Sequence, residues 1–77
     1  MPIAFVLINA ELDSEKYIIE QLNKIECVTN VDNVYGVYDL VVKIESKTME
    51  EVKNIISYNV RRINHVRSTL TMIVIEN

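Results

Sequence analysis

The stretch from Val34 to Ile44 constrains the fold most, because it contains the only glycine of the chain and leads directly into a β-rich run. Glycine adopts positive φ at no steric cost, so Gly36 predicts that the chain reverses there between two strands. Successive side chains of the second strand point to opposite faces of the sheet. One face is predicted to carry Leu40, Val42 and Ile44, and the other Asp39, Val41 and Lys43. The pattern therefore predicts a β-hairpin that holds one carboxylate on a sheet face.

The first strand is predicted at residues 3–8, where every position is apolar. A strand with one face in water alternates apolar and polar residues, so this run indicates that both of its faces are covered. By contrast, polar residues separate Val28, Val31 and Val34, which is typical of a less buried edge strand before the reversal.

Two amphipathic helices are predicted between the strands. The first begins after an N-cap at Asp13 or Ser14 and runs for about three turns, since its apolar residues recur at helical spacing. The second begins after Thr48, because Thr48 and Glu51 have the form of a capping box, in which each side chain satisfies a backbone amide of the other. The apolar positions are Ile18, Leu22 and Ile25 in the first helix and Met49, Val52, Ile56, Val60 and Ile63 in the second.

The last strand is predicted from Val66 to Glu76, with Ser68, Leu70, Met72 and Val74 on one face and Arg67, Thr69, Thr71, Ile73 and Ile75 on the other. The resulting order is βαββαβ, which predicts an α+β ferredoxin-like sandwich. In this fold a four-stranded antiparallel sheet carries two helices on one face. All 77 residues are expected to form a single domain.

The second face of the sheet is predicted to remain uncovered, because two helices cover only one face. Val41, Ile73, Ile75 and half of the first strand are expected there. A monomer with scattered apolar residues is the weaker alternative, since residues on adjacent strands form one patch. The sequence therefore predicts a homodimer formed by packing of one sheet on another.

Composition and charge limit the function classes. A formal net charge of −3 argues against nucleic-acid binding by phosphate neutralisation. For the cluster of Arg61, Arg62, His65 and Arg67, a cationic helix end is favoured over a phosphate site. The single Cys27 is favoured as a small buried hydrophobe over a nucleophile. With no signal peptide and no apolar run of membrane-spanning length, a soluble cytoplasmic protein without metal or cofactor is expected.

Two stretches resemble the effector-binding domain of the Lrp/AsnC feast/famine transcriptional regulators, also called the RAM domain. Val34–Lys43 is similar to the family's Gly-x-aromatic-Asp hairpin, and Val66–Val74 is similar to its last strand. The resemblance covers essentially the whole chain. Two features depart from the family: no helix-turn-helix is present, which implies a stand-alone domain, and Asn64-His65 replaces a frequent Pro-Gly, which leaves the turn geometry open.

The resemblance implies homodimers that assemble further, often into a ring of four dimers, with an amino-acid effector bound between dimers near the hairpins. By motif, Gly36, Tyr38 and Asp39 would belong to the effector site, with Thr69 and Thr71 as weaker candidates. Asp39, expected on the same sheet face as Thr69, would bind the ammonium group of the amino acid. Backbone amides near Gly36 or the threonine hydroxyls would bind the carboxylate of the amino acid. Gly36 also fits a plain turn role, and the threonines also fit as ordinary strand residues.

The expected function is amino-acid binding and oligomerisation, linked to transcription regulation of amino acid metabolism, without DNA binding or catalysis by this chain. Two alternatives remain open. One is a small oligomeric enzyme of the dimeric α+β barrel type, such as a monooxygenase, since one fold hosts many functions. No paired acid and base supports that alternative. The other is a partner module that joins full-length Lrp/AsnC regulators.

Overall fold

The computed structural model describes residues 1–75, and its elements follow the predicted order. The strands are β1 (Ile3–Ala10), β2 (Val28–Asn33), β3 (Leu40–Glu45) and β4 (Val66–Ile73). The helices are α1 (Glu15–Leu22) and α2 (Met49–Ile55), and α2 continues as a π-helical segment (Ile56–Val60). The βαββαβ prediction is confirmed. The strand β4 is shorter than predicted, and Glu76 lies outside the described residues.

The four strands form one antiparallel sheet in the order β2-β3-β1-β4. The two strands with the longest apolar patterns, β1 and β3, occupy the centre. The polar residues of β2 are exposed on an edge strand, as predicted. The ferredoxin-like α+β fold expected from the sequence is therefore confirmed.

The core lies between the helices and one face of the sheet. Every second residue of β1 and β3 is buried there, which is the alternation expected of strands with one face against helices. Each large side chain buried in this layer stabilises the fold by roughly 1.5–3 kcal/mol. The buried residues are Ala4, Val6, Ile8, Ala10, Leu40, Val42 and Ile44 from the sheet and Ile18, Leu22, Val52, Ile56 and Val60 from the helical segments.

Helix α1 is shorter than predicted. It has 8 residues, which is nearer two turns than three. Ser14 occupies the N-cap position without a capping hydrogen bond from its side chain, and Asp13 before it has a φ of 62°. Ile25 follows the helix and still packs against the core, because Ile25 N donates to Leu22 O at 3.0 Å in a tight turn. Helical spacing thus predicted the packing of Ile25 but not the end of the helix.

Half of the predicted capping box forms at the start of α2. Thr48 Oγ1 accepts a hydrogen bond from Glu51 N at 3.1 Å. The Glu51 carboxylate does not return to Thr48 N and instead accepts from Ser46 Oγ. Ser46 is only 6% exposed, so its hydroxyl needs a partner inside the protein, and Glu51 provides it.

The π-helical segment keeps the second apolar stripe on the sheet. Arg61 N donates to Ile56 O at 2.9 Å, five residues back, which widens the last turn. Ile56 and Val60 are both buried, and Met49 and Ile63 pack at the margin of the core, as predicted. No residue pattern in the sequence predicted the wider turn. Within residues 1–75, no helix is long and apolar enough to cross a lipid bilayer.

The sheet face opposite the helices, called the open face below, differs in part from the prediction. Ile73 lies opposite Ala4 of the core, so its predicted place on the open face is wrong. Ile75, also predicted there, follows the end of β4 and is 84% exposed. The error arises because alternation decides which residues share a face, whereas only the register with β1 decides which face it is. The apolar residues of the open face are Ile3, Phe5, Leu7, Val41, Leu70 and Met72.

Candidate ligand site at one end of the sheet

The loop between β2 and β3, called the hairpin loop (residues 34–39), reverses the chain as predicted but not by the predicted means. Val34 N donates to Asp39 O at 2.9 Å and closes the loop. Gly36 has no positive φ, and neither has any other residue of the loop. A Cβ placed on Gly36 would meet no atom within 4 Å. The prediction that glycine makes the reversal is therefore wrong, because the loop is long enough to turn in ordinary conformations.

The tip of the hairpin loop presents apolar side chains to solvent. Tyr35 is fully exposed and Val37 is 85% exposed, whereas Tyr38 is partly buried. Exposed aromatic and aliphatic side chains that lie together are typical of surfaces that contact another molecule. The tip therefore lies outside the core of the protomer and is exposed to solvent.

Asp39 ends the hairpin loop and ties it to β1. Asp39 N donates to Ile8 O at 2.9 Å, and Asp39 Oδ2 accepts from Ala10 N at 2.8 Å. The carboxylate therefore takes the place of the next backbone acceptor in the β1–β3 ladder. An ionised carboxylate has about four acceptor sites, so one bond to Ala10 leaves capacity for a donor from a ligand.

A second turn, between the π-helical segment and β4, meets the same end of β1. His65 O accepts from Glu11 N at 2.8 Å, and His65 Nδ1 donates to Glu11 Oε1 at 2.8 Å. The edge of the His65 ring also faces Tyr17, with ring centroids 5.5 Å apart. His65 has a φ of 77°, a left-handed conformation that favours glycine. The replacement of the family's Pro-Gly by Asn64-His65 therefore leaves a left-handed residue in the turn.

The two candidate threonines do not share a surface with Asp39. Thr69 and Thr71 lie opposite core residues of β1 and point to the helix side of the sheet. The expectation that Asp39 and Thr69 lie on one face is wrong, because the register of β4 was not available from alternation. Ser68 is the residue of this strand segment on the open face, and Ser68 Oγ accepts from Asn9 Nδ2 at 3.2 Å.

The structure thus brings together Gly36, Tyr38 and Asp39 at the hairpin loop. It adds Glu11 and His65 on the other side of the end of β1, which the sequence did not reveal. Their contact joins residues 54 positions apart, and no local pattern signals such a pair. Chemically, the Asp39 carboxylate beside an exposed loop suits a ligand with a cationic group and hydrogen-bonding capacity.

Cys27 packs against the core but is only partly buried. Its Sγ donates to Ser46 Oγ at 3.8 Å at the edge of an open pocket of about 380 Å³. In the part of the chain that the structure describes, no three His, Cys, Asp or Glu side chains are placed to hold a metal ion. None of the candidate residues Gly36, Tyr38 and Asp39 lines this pocket, so the hairpin loop remains the candidate site.

Comparison with known proteins matches residues 3–77 to the family model of the Lrp/AsnC ligand binding domain. An uncharacterized HTH-type transcriptional regulator of Pyrococcus furiosus is 38% identical over 73 residues, which cover 91% of this chain and 49% of the regulator. The chain thus spans about half the length of the curated regulators it matches.

Solved structures give the same result at the level of the fold. FFRP-DM1 superposes with a TM-score of 0.93 at 33% identity, covering 97% of this chain and all of that one. The hypothetical protein PHS023 of Pyrococcus horikoshii superposes with a TM-score of 0.92 at 32% identity, covering 100% of this chain and 93% of that one. Both solved chains have nearly the same extent as this one.

Two further matches show the contexts in which similar segments occur. Homocitrate synthase of Sulfurisphaera tokodaii is 36% identical over 73 residues, which cover 91% of this chain and 16% of the enzyme. The regulator NMB0573 of Neisseria meningitidis, solved as a complex with L-Met, shares the fold with a TM-score of 0.86 at 13% identity over 97% of this chain and 50% of the regulator. Since the family model matches nearly every residue, this chain belongs to the Lrp/AsnC ligand-binding domain family.

Proposed function

We propose that this domain binds an amino acid beside the hairpin loop and assembles with further copies of itself, without catalysing a reaction. The observation that carries the proposal is the Asp39 carboxylate, held at the end of the sheet beside an exposed loop, in a chain of a ligand-binding family. Gly36, Tyr38 and Asp39 are the proposed contacts. The proposed role is in the regulation of amino acid metabolism in the cytoplasm, and the relatives among transcriptional regulators support its regulatory part.

The chemistry of an amino acid fits these groups. Its ammonium group requires an anion, and charge-assisted hydrogen bonds to a carboxylate such as that of Asp39 are about twice as strong as neutral ones. Its carboxylate requires donors, which exposed backbone amides of the hairpin loop supply. Gly36 supports the proposal further, because a residue without a Cβ lets a ligand or a second chain approach the backbone closely.

The contexts of the relatives support ligand recognition over DNA contact or catalysis. Similar segments accompany an HTH-type regulator and form about a sixth of a homocitrate synthase. A role that suits both proteins is recognition of a small molecule, since the regulator needs no catalytic domain and the enzyme needs no DNA reader. The L-Met complex of a protein with the same fold supports an amino acid as the ligand class.

The open face supports assembly into dimers. Leu70 and Met72 are 46% and 47% exposed there, beside Phe5 and Leu7 of β1. Packing against a second sheet would remove this apolar patch from water. The exposed hairpin loop supports further association of dimers, up to a ring. In such an assembly, Thr69 and Thr71 would contact a ligand at the hairpin loop only from a neighbouring protomer.

A second candidate is a partner module that joins full-length Lrp/AsnC regulators through the same open face. It is favoured by the relatives, in which a similar domain makes up about half of the chain. The two candidates differ in one measurable respect: the partner module forms mixed assemblies with such a regulator and does not need an amino acid to do so.

The test of the proposal is a thermal-shift screen of the common amino acids, followed by calorimetric titration of each hit and light scattering of the complex. For Asp39→Asn, we expect binding to weaken by roughly 1.5–3 kcal/mol, since the ammonium group loses a charged partner. The amide oxygen of Asn can still accept from Ala10 N, so the fold is retained.

Asp32→Asn is the matched control. Asp32 is exposed and lies on the same hairpin, and the substitution removes the same charge at a position away from the loop. We expect it to bind the amino acid as the unmodified protein does. Equal affinities for all three proteins would remove Asp39 from the site. Failure of every amino acid to bind would reject amino-acid sensing and leave the partner module.

A further inference from the structure

An open pocket of about 300 Å³ lies beside the edge strand β4, between the end of the π-helical segment and the start of that strand. Arg61 and Arg67 border it, and Arg61 also borders a neighbouring groove of about 380 Å³. Lys53 lines that groove, so three cationic side chains follow one continuous surface. The other lining residues are Val66, Ser68 and Thr69 in the pocket and Ile56, Ser57, Thr71 and Ile73 in the groove.

The local backbone brings Arg61 and Arg67 to one pocket. Arg61 directly follows the π-helical segment, and the bond from its N to Ile56 O places it at the end of the last turn. The register of β4 on β1 passes from Ser68 to Val66, so Arg67 is the extra residue of a β-bulge. A bulge redirects a side chain, and here it keeps Val66 at the core while Arg67 borders the pocket.

The charge of this pocket is not balanced by the protein. Within residues 1–75, the ion pairs are Lys43–Glu45 and His65–Glu11, and neither uses an arginine. Among the residues that the structure describes, no Asp or Glu lines the pocket or the groove. Two guanidinium groups in one pocket repel each other. This positive charge is local, since the net charge of the chain is −3. A bound anion would remove the repulsion.

Arg62 provides a contrast within the same cluster. Its guanidinium carbon lies 5.2 Å from the centre of the Tyr58 ring, a cation–π geometry that gives this charge a partner inside the protein. It does not border the pocket. The basic cluster therefore divides into one arginine with an aromatic partner and two arginines that face a pocket.

We propose that this pocket binds a phosphate group. A phosphate monoester carries about −1.5 to −2 charges near neutral pH and so matches two guanidinium groups better than a single carboxylate does. Arginine forks pair with phosphate oxygens through two parallel hydrogen bonds. Thr69, which points to the helix side of β4, offers a hydroxyl to the anion, whereas the Ser68 side chain points to the open face and bonds Asn9.

This pocket is separate from the proposed amino-acid contacts Gly36, Tyr38 and Asp39, because none of these three residues lines it. The phosphate source is either inorganic phosphate or a phosphate monoester of a small metabolite. Both present the same tetrahedral anion to the arginines, and the two are separated below by direct comparison of their affinities.

The test uses the full chain with nitrogen-15-labelled arginine and follows the side-chain Nε–H signals by NMR. Inorganic phosphate and glycerol 3-phosphate are titrated separately, with potassium chloride at matched ionic strength as the reference. We expect saturable shifts at Arg61 and Arg67 and no saturable shift at Arg62. Arg61→Gln and Arg67→Gln should each lower phosphate affinity about tenfold or more, since each removes a charged hydrogen-bond donor.

Arg62→Gln is the matched control, because it removes the same charge from the same cluster outside the pocket. We expect its phosphate affinity to be unchanged, and light scattering checks that all variants keep the same mass. Shifts that do not saturate, or that chloride reproduces, would overturn the proposal. So would an equal loss of affinity in Arg62→Gln. Tighter binding of glycerol 3-phosphate supports a metabolite as the source, and equal binding supports free phosphate.

Discussion

Two turns contact the end of β1 from opposite sides, and they reverse the chain with different backbone conformations. The hairpin loop contains the only glycine of the chain, yet Gly36 has no positive φ. The other turn contains no glycine, yet His65 has a φ of 77°. Two consecutive amides at the end of β1 hold both turns, since Ala10 N donates to the Asp39 carboxylate and Glu11 N, directly after the strand, donates to His65 O.

The difference shows where local conformation is determined by contacts and where it is not. A left-handed non-glycine residue costs roughly 1–2 kcal/mol. At His65, this cost is offset by the backbone bond from Glu11, the side-chain bond to Glu11 and the ring contact with Tyr17. At Gly36, the protein uses neither the freedom of glycine nor its small size. Contacts within the protomer therefore do not require glycine at this position.

The largest expected effect on stability is at Asp39, because its carboxylate, and not the freedom of Gly36, holds the hairpin loop. Asp39→Ala removes the acceptor of Ala10 N in a partly buried position. We expect the free energy of unfolding to fall by about 1–3 kcal/mol, the cost of an unsatisfied buried donor. Chemical denaturation at one fixed protein concentration measures it, since assembly makes stability depend on concentration.

Asp39→Asn is the control, because it keeps an acceptor oxygen and should lose clearly less stability. If Ala and Asn destabilise the protein equally, the charge and not the acceptor stabilises the loop. If neither substitution matters, the bond to Ala10 does not hold the loop, and the contrast between the two turns disappears.

An intermediate effect is expected at His65. His65→Gly and His65→Ala both lose the contacts with Glu11 and Tyr17, but only glycine relieves the left-handed backbone. We expect the glycine variant to be more stable than the alanine variant by about 1–2 kcal/mol in denaturant unfolding. The same pair of substitutions at Asn64, where φ is not positive, should give the reverse order, because glycine costs roughly 0.5–1 kcal/mol elsewhere. The same order at both positions would contradict the left-handed turn.

The sequence predicted those parts of the fold that depend on neighbours along the chain. Alternation placed Leu40, Val42 and Ile44 in the core, helical spacing found the stripe that contains Val52, and Thr48 caps α2 as expected. These features need only the period of a strand, the period of a helix or a four-residue motif. The family resemblance, carried by two short stretches, was likewise confirmed.

The parts that failed depend on register and on distant contacts. The faces of β4 were assigned the wrong way round because both sets of alternating residues contain apolar side chains, and only pairing with β1 shows that Met72 lies on the open face and Ile73 on the helix side. The bond between Glu11 and His65 joins loops that no periodicity connects. In the candidate site, Gly36, Tyr38 and Asp39 come from one local motif and lie together. The position of Thr69 depends on the register of β4 on β1, and Thr69 lies elsewhere.

The smallest expected effect on stability is at Gly36, where a substitution tests the contrast between the two turns most directly. Gly36→Ala meets no steric obstacle within the protomer, and its negative φ suits alanine. We expect the free energy of unfolding of the protomer to rise by about 0.4–1 kcal/mol, because alanine restricts the unfolded chain more than glycine does.

Amino-acid affinity or assembled mass should nevertheless fall in Gly36→Ala, because the added Cβ would contact any ligand or second chain that approaches the hairpin loop. Denaturation, calorimetric titration and light scattering measure the three quantities. A clear loss of stability would mean that the loop uses the freedom of glycine after all. Unchanged affinity and mass would mean that nothing approaches Gly36, and the functional site would then lie away from the tip of the loop.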